Sequence, residues 1–301
     1  MKTVMASSPL IYNYMKMFQF LGSHPFTLNP KSPPKVSKCS VAIFSLAYLP
    51  NAIVLVLYTH EVSFNQGDLA SALYRTLIFI VVLTPPLTMY QMTQKSHIID
   101  AIVKNLIEVR RNLMVGEFKI TRFTILMGLF NGLLTILLIG GSSIVNGYNR
   151  GNVAALVCSQ AVWTLFYSYT ISVRAQFYFL ITSAGECYEK ITLPDPKQEK
   201  GIVSLNEIKT RIKYYDRVST ICSKIVDFHE PFTCLSLVIN LLCLIQDVNT
   251  IFNSPSLLSE NTFLKVSCYV WIVAHISHVC YALHGCQAVI NQVRIAVKPL
   301  L

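Results

Sequence analysis

Charged residues are scarce in this chain, and the scarcity excludes most soluble folds. Asp, Glu, Lys and Arg make up 13% of the 301 residues, whereas soluble domains carry about 25%. The motifs of common enzymes are missing as well: there is no phosphate-binding glycine loop, no G-x-S-x-G and no H-E-x-x-H. The apolar segments contain no carboxylate pair, which general acid–base chemistry would require. We therefore expect no enzymatic activity and no cofactor.

Long apolar runs take the place of the missing charge. Six segments stand out, at about residues 40–58, 70–89, 123–145, 153–181, 231–246 and 263–284. Most reach the roughly 20 residues that a helix needs to cross the hydrocarbon core of a bilayer. They are too continuous for the alternating strands of a membrane β-barrel. The predicted fold class is all-α, a polytopic transmembrane helical bundle with six visible spans.

The positive charges fall on alternate sides of these segments. Of the 25 Lys and Arg residues, 21 lie before the first segment, between the second and third, between the fourth and fifth, or after the sixth. Because cytoplasmic loops carry the excess of Lys and Arg, we expect a multi-pass plasma-membrane protein with a cytosolic N-terminus. Topology thus explains the net charge of +10, and no nucleic-acid partner is expected. Membrane lipid is the expected surrounding.

The predicted cytosolic stretches have the pattern of amphipathic helices. Residues 1–39 are interpreted as a cytosolic N-terminal segment and 40–301 as the bundle, with cytosolic helices at about 97–118 and 204–228. Apolar residues recur there at helical spacing, in two stripes: Ile99, Ile102, Leu106, Val109 and Leu113, then Ile208, Ile212, Tyr215, Val218, Cys222 and Ile225. These helices either form a packed cytosolic base or lie on the inner leaflet. Lys104 and Glu108 are spaced as an i,i+4 ion pair.

Prolines and cysteines add two local predictions. Pro50 in the first span and Pro85-Pro86 in the second should kink their helices, and each kink either widens a cavity or is absorbed by neighbouring helices. The nine cysteines form no C-x-x-C pair, so we interpret them as packing residues, with palmitoylation or a disulfide as the alternatives. A short apolar stretch within residues 10–21 predicts an amphipathic helix ahead of the first span.

Aromatic and polar residues in the outward halves of the spans are the candidate ligand-binding residues. The predicted outward loops, among them residues 247–261, are too short to form a domain, so a ligand must be small and bind among the helices. The candidates are Tyr74, Gln160, Trp163, Tyr167, Trp271 and His275. Trp163 with Tyr167, and Trp271 with His275, are i,i+4 pairs that could line one apolar pocket with polar groups. Ordinary aromatic packing or an interfacial aromatic belt is the alternative.

Metal binding and ion-channel filters are not indicated by the sequence. His275, His278, Cys280, His284 and Cys286 lie close together in the last span, but their spacing matches no standard tetrahedral zinc site. No T-V-G-Y-G filter sequence is present. We expect a helix face that packs or contacts a ligand rather than a metal.

Three stretches of the chain have the pattern of a known receptor family. Residues 17–22, MFQFLG, are followed by Pro25-Phe26. A basic helix carries YYDRV at 214–218 and passes through FHEPF at 228–232 into the fifth span, and Trp271 lies early in the sixth. In these features the chain resembles the insect gustatory receptors, of the seven-helix chemoreceptor superfamily, and the resemblance covers most of the chain.

The resemblance implies a ligand-gated, non-selective cation channel that assembles as a homo- or hetero-tetramer and binds a small tastant. In that family helices one to six form the peripheral ligand-binding bundle. A seventh helix lines the pore and carries Thr-Tyr followed by Gln-Phe. No Gln-Phe occurs near the end of this sequence, so we expect these residues to hold the ligand-binding bundle without the pore helix.

Two other classes remain as alternatives. A fragment of a G-protein-coupled receptor would have an external N-terminus and an Asp-Arg-Tyr sequence at the end of its third span, which is absent here. A six-helix transporter would show repeat symmetry and intramembrane acid–base pairs, and the sequence shows neither.

Overall fold

The computed structural model describes residues 11–16, 26–29, 32–43, 46, 48–63, 69–115, 133, 153–192, 205–253 and 262–297. These residues form one hairpin and seven labelled helices. The hairpin strands are β1 (Phe26–Asn29) and β2 (Ser32–Val36). The helices are α1 (Lys38–Ile43), α2 (Leu49–Ser63), α3 (Leu69–Gln94), α4 (Ser96–Asn112), α5 (Val153–Thr192), α6 (Leu205–Asn253) and α7 (Thr262–Val297).

The predicted all-α class is confirmed, and the hairpin is an addition to it. β1 and β2 are antiparallel, and Phe26 pairs with Val36 and Thr27 with Lys35. Pro33 and Pro34 lie in β2, where they donate no backbone hydrogen bond. Because both strands of a two-stranded sheet are edges, prolines are tolerated there. The short helix at residues 11–16 agrees with the predicted N-terminal amphipathic helix, because Ile11 and Met15 are buried.

Two helices are longer than any bilayer crossing. The 40 residues of α5 extend over about 60 Å and the 49 residues of α6 over about 74 Å at 1.5 Å per residue, against a hydrocarbon core of about 30 Å. Both must therefore continue beyond the membrane. Among the described residues, Arg75–Gln94 and Leu205–Asn249 are long and apolar enough to cross a membrane, and Cys268–Cys280 is a shorter apolar helical stretch.

Two α-helices are assigned within the first predicted span. α1 ends at Ile43 and α2 begins at Leu49, residues 46 and 48 between them have π-helical backbone, and Pro50 lies in the first turn of α2. A first-turn N–H has no partner within the helix, and proline costs little at that position. The third predicted span, apart from residue 133, lies outside the described residues.

Pro85 and Pro86 lie inside the continuous helix α3, and the side chain of Tyr48, directly before α2, compensates for them. Since proline has no N–H, the carbonyls four residues earlier, those of Val81 and Val82, lose their helical partners. The buried hydroxyl of Tyr48 donates to both oxygens, at 3.2 and 2.9 Å. Of the two sequence-based alternatives, absorption by a neighbour is the one that the structure shows.

The described apolar side chains pack into two clusters. The first, which we call the base cluster, joins residues 11–16 and α4 to the C-terminal part of α5 and the N-terminal part of α6. The second, which we call the span cluster, joins α2 and α3 to the apolar parts of α5 and α6. Around the span cluster large apolar side chains face outward, among them Leu57, Phe79 and Leu87. A surface of that kind is expected where lipid is the solvent.

Helix α4 confirms the amphipathic stripe predicted for it. Ile99, Ile102, Leu106 and Val109 are fully buried in the base cluster. The second stripe is only partly correct, because Ile208 and Ile212 in the first turns of α6 are exposed whereas Val218, Cys222 and Ile225 are buried.

The ion pairs of the base differ from the predicted Lys104–Glu108 pair. Lys104 donates one turn back to Asp100 at 2.7 Å, and Glu108 accepts from Arg217 of α6. The Arg217 guanidinium lowers the pKa of the Glu108 carboxyl below its ordinary value. Glu108 pairs with Arg217 rather than with Lys104 because Arg217 forms a bidentate contact, in which Nη1 and Nη2 each donate to a different carboxylate oxygen.

A second interhelical pair lies deeper in the base. Arg110 of α4 is buried, and its Nη1 donates to the carbonyl and hydroxyl oxygens of Ser183 and to Glu186 at 2.5 Å. The neighbouring Cys187 and Cys222 agree with a packing role. Burial raises the pKa of Cys187 to about 12 and that of Cys222 to about 11, so both remain thiols and are poor nucleophiles.

The bond between Tyr48 and the proline-freed carbonyls predicts the result of a mutational cycle. Tyr48→Phe should destabilise the protein by about 1–3 kcal/mol, because two buried carbonyls lose their only described donor. When Pro85→Ala and Pro86→Ala restore the helical N–H groups, the same Tyr48→Phe change should cost much less. Thermal unfolding in detergent, followed by tryptophan emission, measures both. Tyr90→Phe, at an exposed position of α3, is the matched control, and equal costs of Tyr48→Phe on both backgrounds would contradict the interpretation.

Candidate functional site

Helices α5 and α7 bring the two predicted pairs into one aromatic cluster. Trp163 stacks on Tyr167 with ring centroids 5.7 Å apart, and Trp271 stacks on His275 at 5.5 Å. The pairs also meet across the helices, since the Tyr167 ring lies 5.8 Å from Trp271 and 6.4 Å from His275. The i,i+4 spacing places each pair on one helix face, and the packing of α5 against α7 turns those faces toward each other.

The two remaining candidates cannot be placed in this cluster. Tyr74 lies in α3 and Gln160 in α5, but both side chains are outside the part of the chain that the structure describes. Their role as ligand-binding residues stays a prediction.

A chain of buried polar groups continues from the aromatic cluster toward the middle of the helices. Arg174 of α5 donates to the Ser236 hydroxyl of α6 and to the backbone carbonyl of His278 of α7, the latter at 3.0 Å. The Asn240 amide donates to the Ser236 carbonyl at 2.6 Å. His275 lies 3.2 Å from the oxygen of the Asn240 side chain. Three helices are therefore joined by polar contacts within an otherwise apolar region.

The hydrogen bonds assign opposite tautomers to the two histidines. The Asn240 side-chain nitrogen donates to the Ser236 carbonyl, so the Asn240 side-chain oxygen faces His275. That oxygen can only accept a hydrogen bond, so Nδ1 of His275 must carry the proton. Arg174 only donates, so its contact of 3.2 Å with Nδ1 of His278 requires the proton of that ring on Nε2. In addition, Nε2 of His275 lies 3.5 Å from Oδ2 of Asp247, an ion pair when the imidazole is protonated.

The side chains of the site differ in solvent exposure, and some are buried whereas others are half-buried. Tyr167, His275 and His278 are buried, whereas Trp163 and Trp271 are half-buried. The two indoles thus form the accessible edge of the cluster, with the polar chain behind them. Apolar faces with a few convergent polar groups are the common chemistry of small-molecule sites, and this cluster has that composition.

Part of this site was missed by the sequence analysis. Residue 247 was assigned to an outward loop, but α6 continues as a helix to Asn253, which brings Asp247 to His275. Ser236 and Asn240 were not singled out, although they are polar residues four apart within an apolar run, and Arg174 was not assigned a role. Polar residues at helical spacing inside a span are expected to face other helices, and that signal could have identified them.

The cluster of histidines and cysteines in the last span separates into different surroundings. His275 contacts Asn240, His278 contacts Arg174, and the exposed His284 stacks on Tyr178 at 5.9 Å. Across the described ranges no group of three or more His, Cys, Asp or Glu side chains is arranged to hold a metal ion.

Comparison with known proteins gives one match that covers nearly the whole sequence. The family model described as 7tm chemosensory receptor matches residues 12–300. No curated protein matches the chain at a significant level. The matched range includes all residues of the aromatic cluster and the polar chain.

The contact between Asn240 and His275 predicts a non-additive pair of substitutions. Asn240→Leu should destabilise the protein by about 1–3 kcal/mol, because the buried Nδ1–H of His275 then has no acceptor. The double substitution Asn240→Leu with His275→Leu should cost less than the sum of the single changes. Asn206→Leu, at an exposed position in the first turn of α6, serves as the control and should be neutral. Thermal unfolding midpoints provide the measurement, and strictly additive costs would show that the two side chains do not interact.

Proposed function

The chain belongs to the 7tm chemosensory receptor family, since the match extends over nearly its entire length, and we propose that it is a gustatory chemoreceptor subunit that binds a small tastant between α5, α6 and α7. The family makes it a membrane protein and a chemoreceptor. The observation that carries the more specific proposal is the aromatic cluster, in which Trp163 and Trp271 are half-buried over buried polar groups.

The chemistry of the cluster supports a ligand of a particular kind. Trp163, Tyr167 and Trp271 offer ring faces, which favour flat or apolar groups and cations. Asn240 and His275 offer polar groups at the back of the cluster. We expect an amphipathic small molecule, whose apolar part lies on the indoles and whose polar part reaches the hydrogen-bonded chain.

The mode of signalling follows from the gustatory-receptor resemblance and belongs to the same proposal. We propose that the subunit works in the plasma membrane, in a homo- or hetero-tetramer with other gustatory receptors, and that ligand binding opens a non-selective cation pathway. The long helices α5 and α6 connect the cluster to the base, so a rearrangement at the ligand can reach the other end of the bundle.

Both tryptophans of the chain lie in the proposed site, which makes binding measurable without a label. The purified protein in nanodiscs should change its tryptophan emission when titrated with a panel of sucrose, caffeine and quinine, for at least one compound. Trp271→Phe should weaken that binding by about tenfold, the effect of losing roughly 1.4 kcal/mol of ring contact. Tyr269→Phe, at an exposed position two residues away on α7, should leave the affinity unchanged.

Further measurements separate the proposal from its alternatives. Cells that express the protein together with a gustatory-receptor partner should show a cation current evoked by the compound that changes the emission. Ligand uptake without current would support a transporter instead. If no compound of the panel or of a wider tastant library alters the emission, or if Tyr269→Phe reduces affinity as strongly as Trp271→Phe, the proposed site is wrong.

The proposed orientation can be tested by chemical labelling. The distribution of Lys and Arg predicts that cysteines introduced at Gly67 and Ser256 react with an impermeant maleimide in intact cells. A cysteine introduced at the exposed Lys213 should react only after permeabilisation. The opposite pattern would place the N-terminus outside the cell and would contradict the gustatory-receptor reading.

A further inference from the structure

A cavity lies where the end of α3, the start of α4 and the middle of α6 meet. Its volume is about 330 Å³, it is partly open to the surface, and it is distant in sequence from the aromatic cluster. Its walls are formed by Lys95, His97, Ile98, Ala101, Lys224, Asp227 and Phe228. One part of the wall is apolar, and the other carries two ammonium groups.

Within the part of the chain that the structure describes, Lys95 and Lys224 form no ion pair with an acidic side chain. Asp227 is the carboxylate among the described residues of the wall, and it forms none of the ion pairs described above. With the two lysines and one aspartate, the cavity therefore carries a net positive charge.

The cavity lies close to the level at which lipid headgroups are expected along the helices. Lys95 lies six residues after the predicted end of the second span, and Lys224 lies seven residues before the predicted start of the fifth. At 1.5 Å per residue these are displacements of about 9 and 10 Å, just outside a headgroup layer of about 5–8 Å, and long lysine side chains can reach back into that layer. The exposed Tyr90, in the last turns of α3, agrees with this boundary, because tyrosine is enriched at membrane interfaces.

We propose that this cavity binds the phosphorylated headgroup of an anionic lipid of the cytoplasmic leaflet, a phosphoinositide, through Lys95 and Lys224. The phosphate groups lie between the two ammonium groups, and the apolar wall formed by Ile98 and Phe228 faces the glycerol and the first methylenes of the acyl chains. Basic pockets between helices on the cytoplasmic side are suited to such headgroups. A free anion would use the lysines but would gain nothing from the apolar wall.

Native mass spectrometry of the purified full chain tests this assignment. The protein is equilibrated with phosphatidylinositol bisphosphate, phosphatidylserine or phosphatidylcholine, and the bound fraction gives a dissociation constant for each. The bisphosphate should bind tightest. Lys95→Gln with Lys224→Gln should weaken it about 30-fold, since each lysine near an anionic group accounts for about fivefold. Lys209→Gln with Lys213→Gln, on exposed positions of the same helix outside the cavity, should change the affinity little.

Two further variants keep the test independent of folding defects. Lys95→Arg with Lys224→Arg should retain binding, and Asp227→Asn should tighten it several-fold because it removes the negative charge of the wall. The proposal is overturned if the cavity and control variants lose affinity equally, or if Asp227→Asn has no effect. It is also overturned if soluble inositol trisphosphate or inorganic phosphate displaces the lipid at the lipid's own concentration, because the site would then be one for a free anion.

Discussion

Every polar group inside the apolar part of this bundle must find its partner on the protein, because the hydrocarbon core offers none. Several polar side chains meet that constraint by pairing between helices. Tyr48, directly before α2, donates to carbonyls of α3, and Arg174 of α5 donates to groups of α6 and α7. Interhelical hydrogen bonds act together with side-chain packing in lipid, so these bonds contribute to fixing the rotation of each helix about its own axis. The aromatic cluster depends on that rotation, since a turned α7 would face Trp271 toward lipid.

The base differs from the spans in its outer surface and in the contacts that join its helices. Its apolar residues are buried under a charged outer surface, and Arg110 and Arg217 connect α4 to α5 and α6 through ion pairs. Arg110 is nearly inaccessible, and loss of its partner would leave a buried charge without compensation. The base therefore provides a fixed frame, from which α5 and α6 run without interruption to the aromatic and polar groups of the spans.

Local patterns were sufficient for some of these features and insufficient for others. The stripe of α4 and the pairs Trp163–Tyr167 and Trp271–His275 depend on spacing within one helix, which the sequence displays directly. The contact of Asn240 with His275 and that of Glu108 with Arg217 depend on how two helices are turned toward each other, and no single-helix pattern contains that information. The hairpin was missed because the prolines of β2 disfavour a strand. The helical continuation through Asp247 was missed because a polar stretch resembles a loop.

The length of α6 determines how far its ends move when the helix tilts. Pro231 lies within this helix without ending it, so one continuous helix connects the segment beside the aromatic cluster with the segment beside α4. For a rod of about 74 Å, a tilt of about 5° around its centre displaces each end by about 3 Å. A side-chain rearrangement of less than one ångström close to that pivot is thereby enlarged at the two tips. A continuous helix thus connects a small displacement near its centre to a larger displacement at both ends.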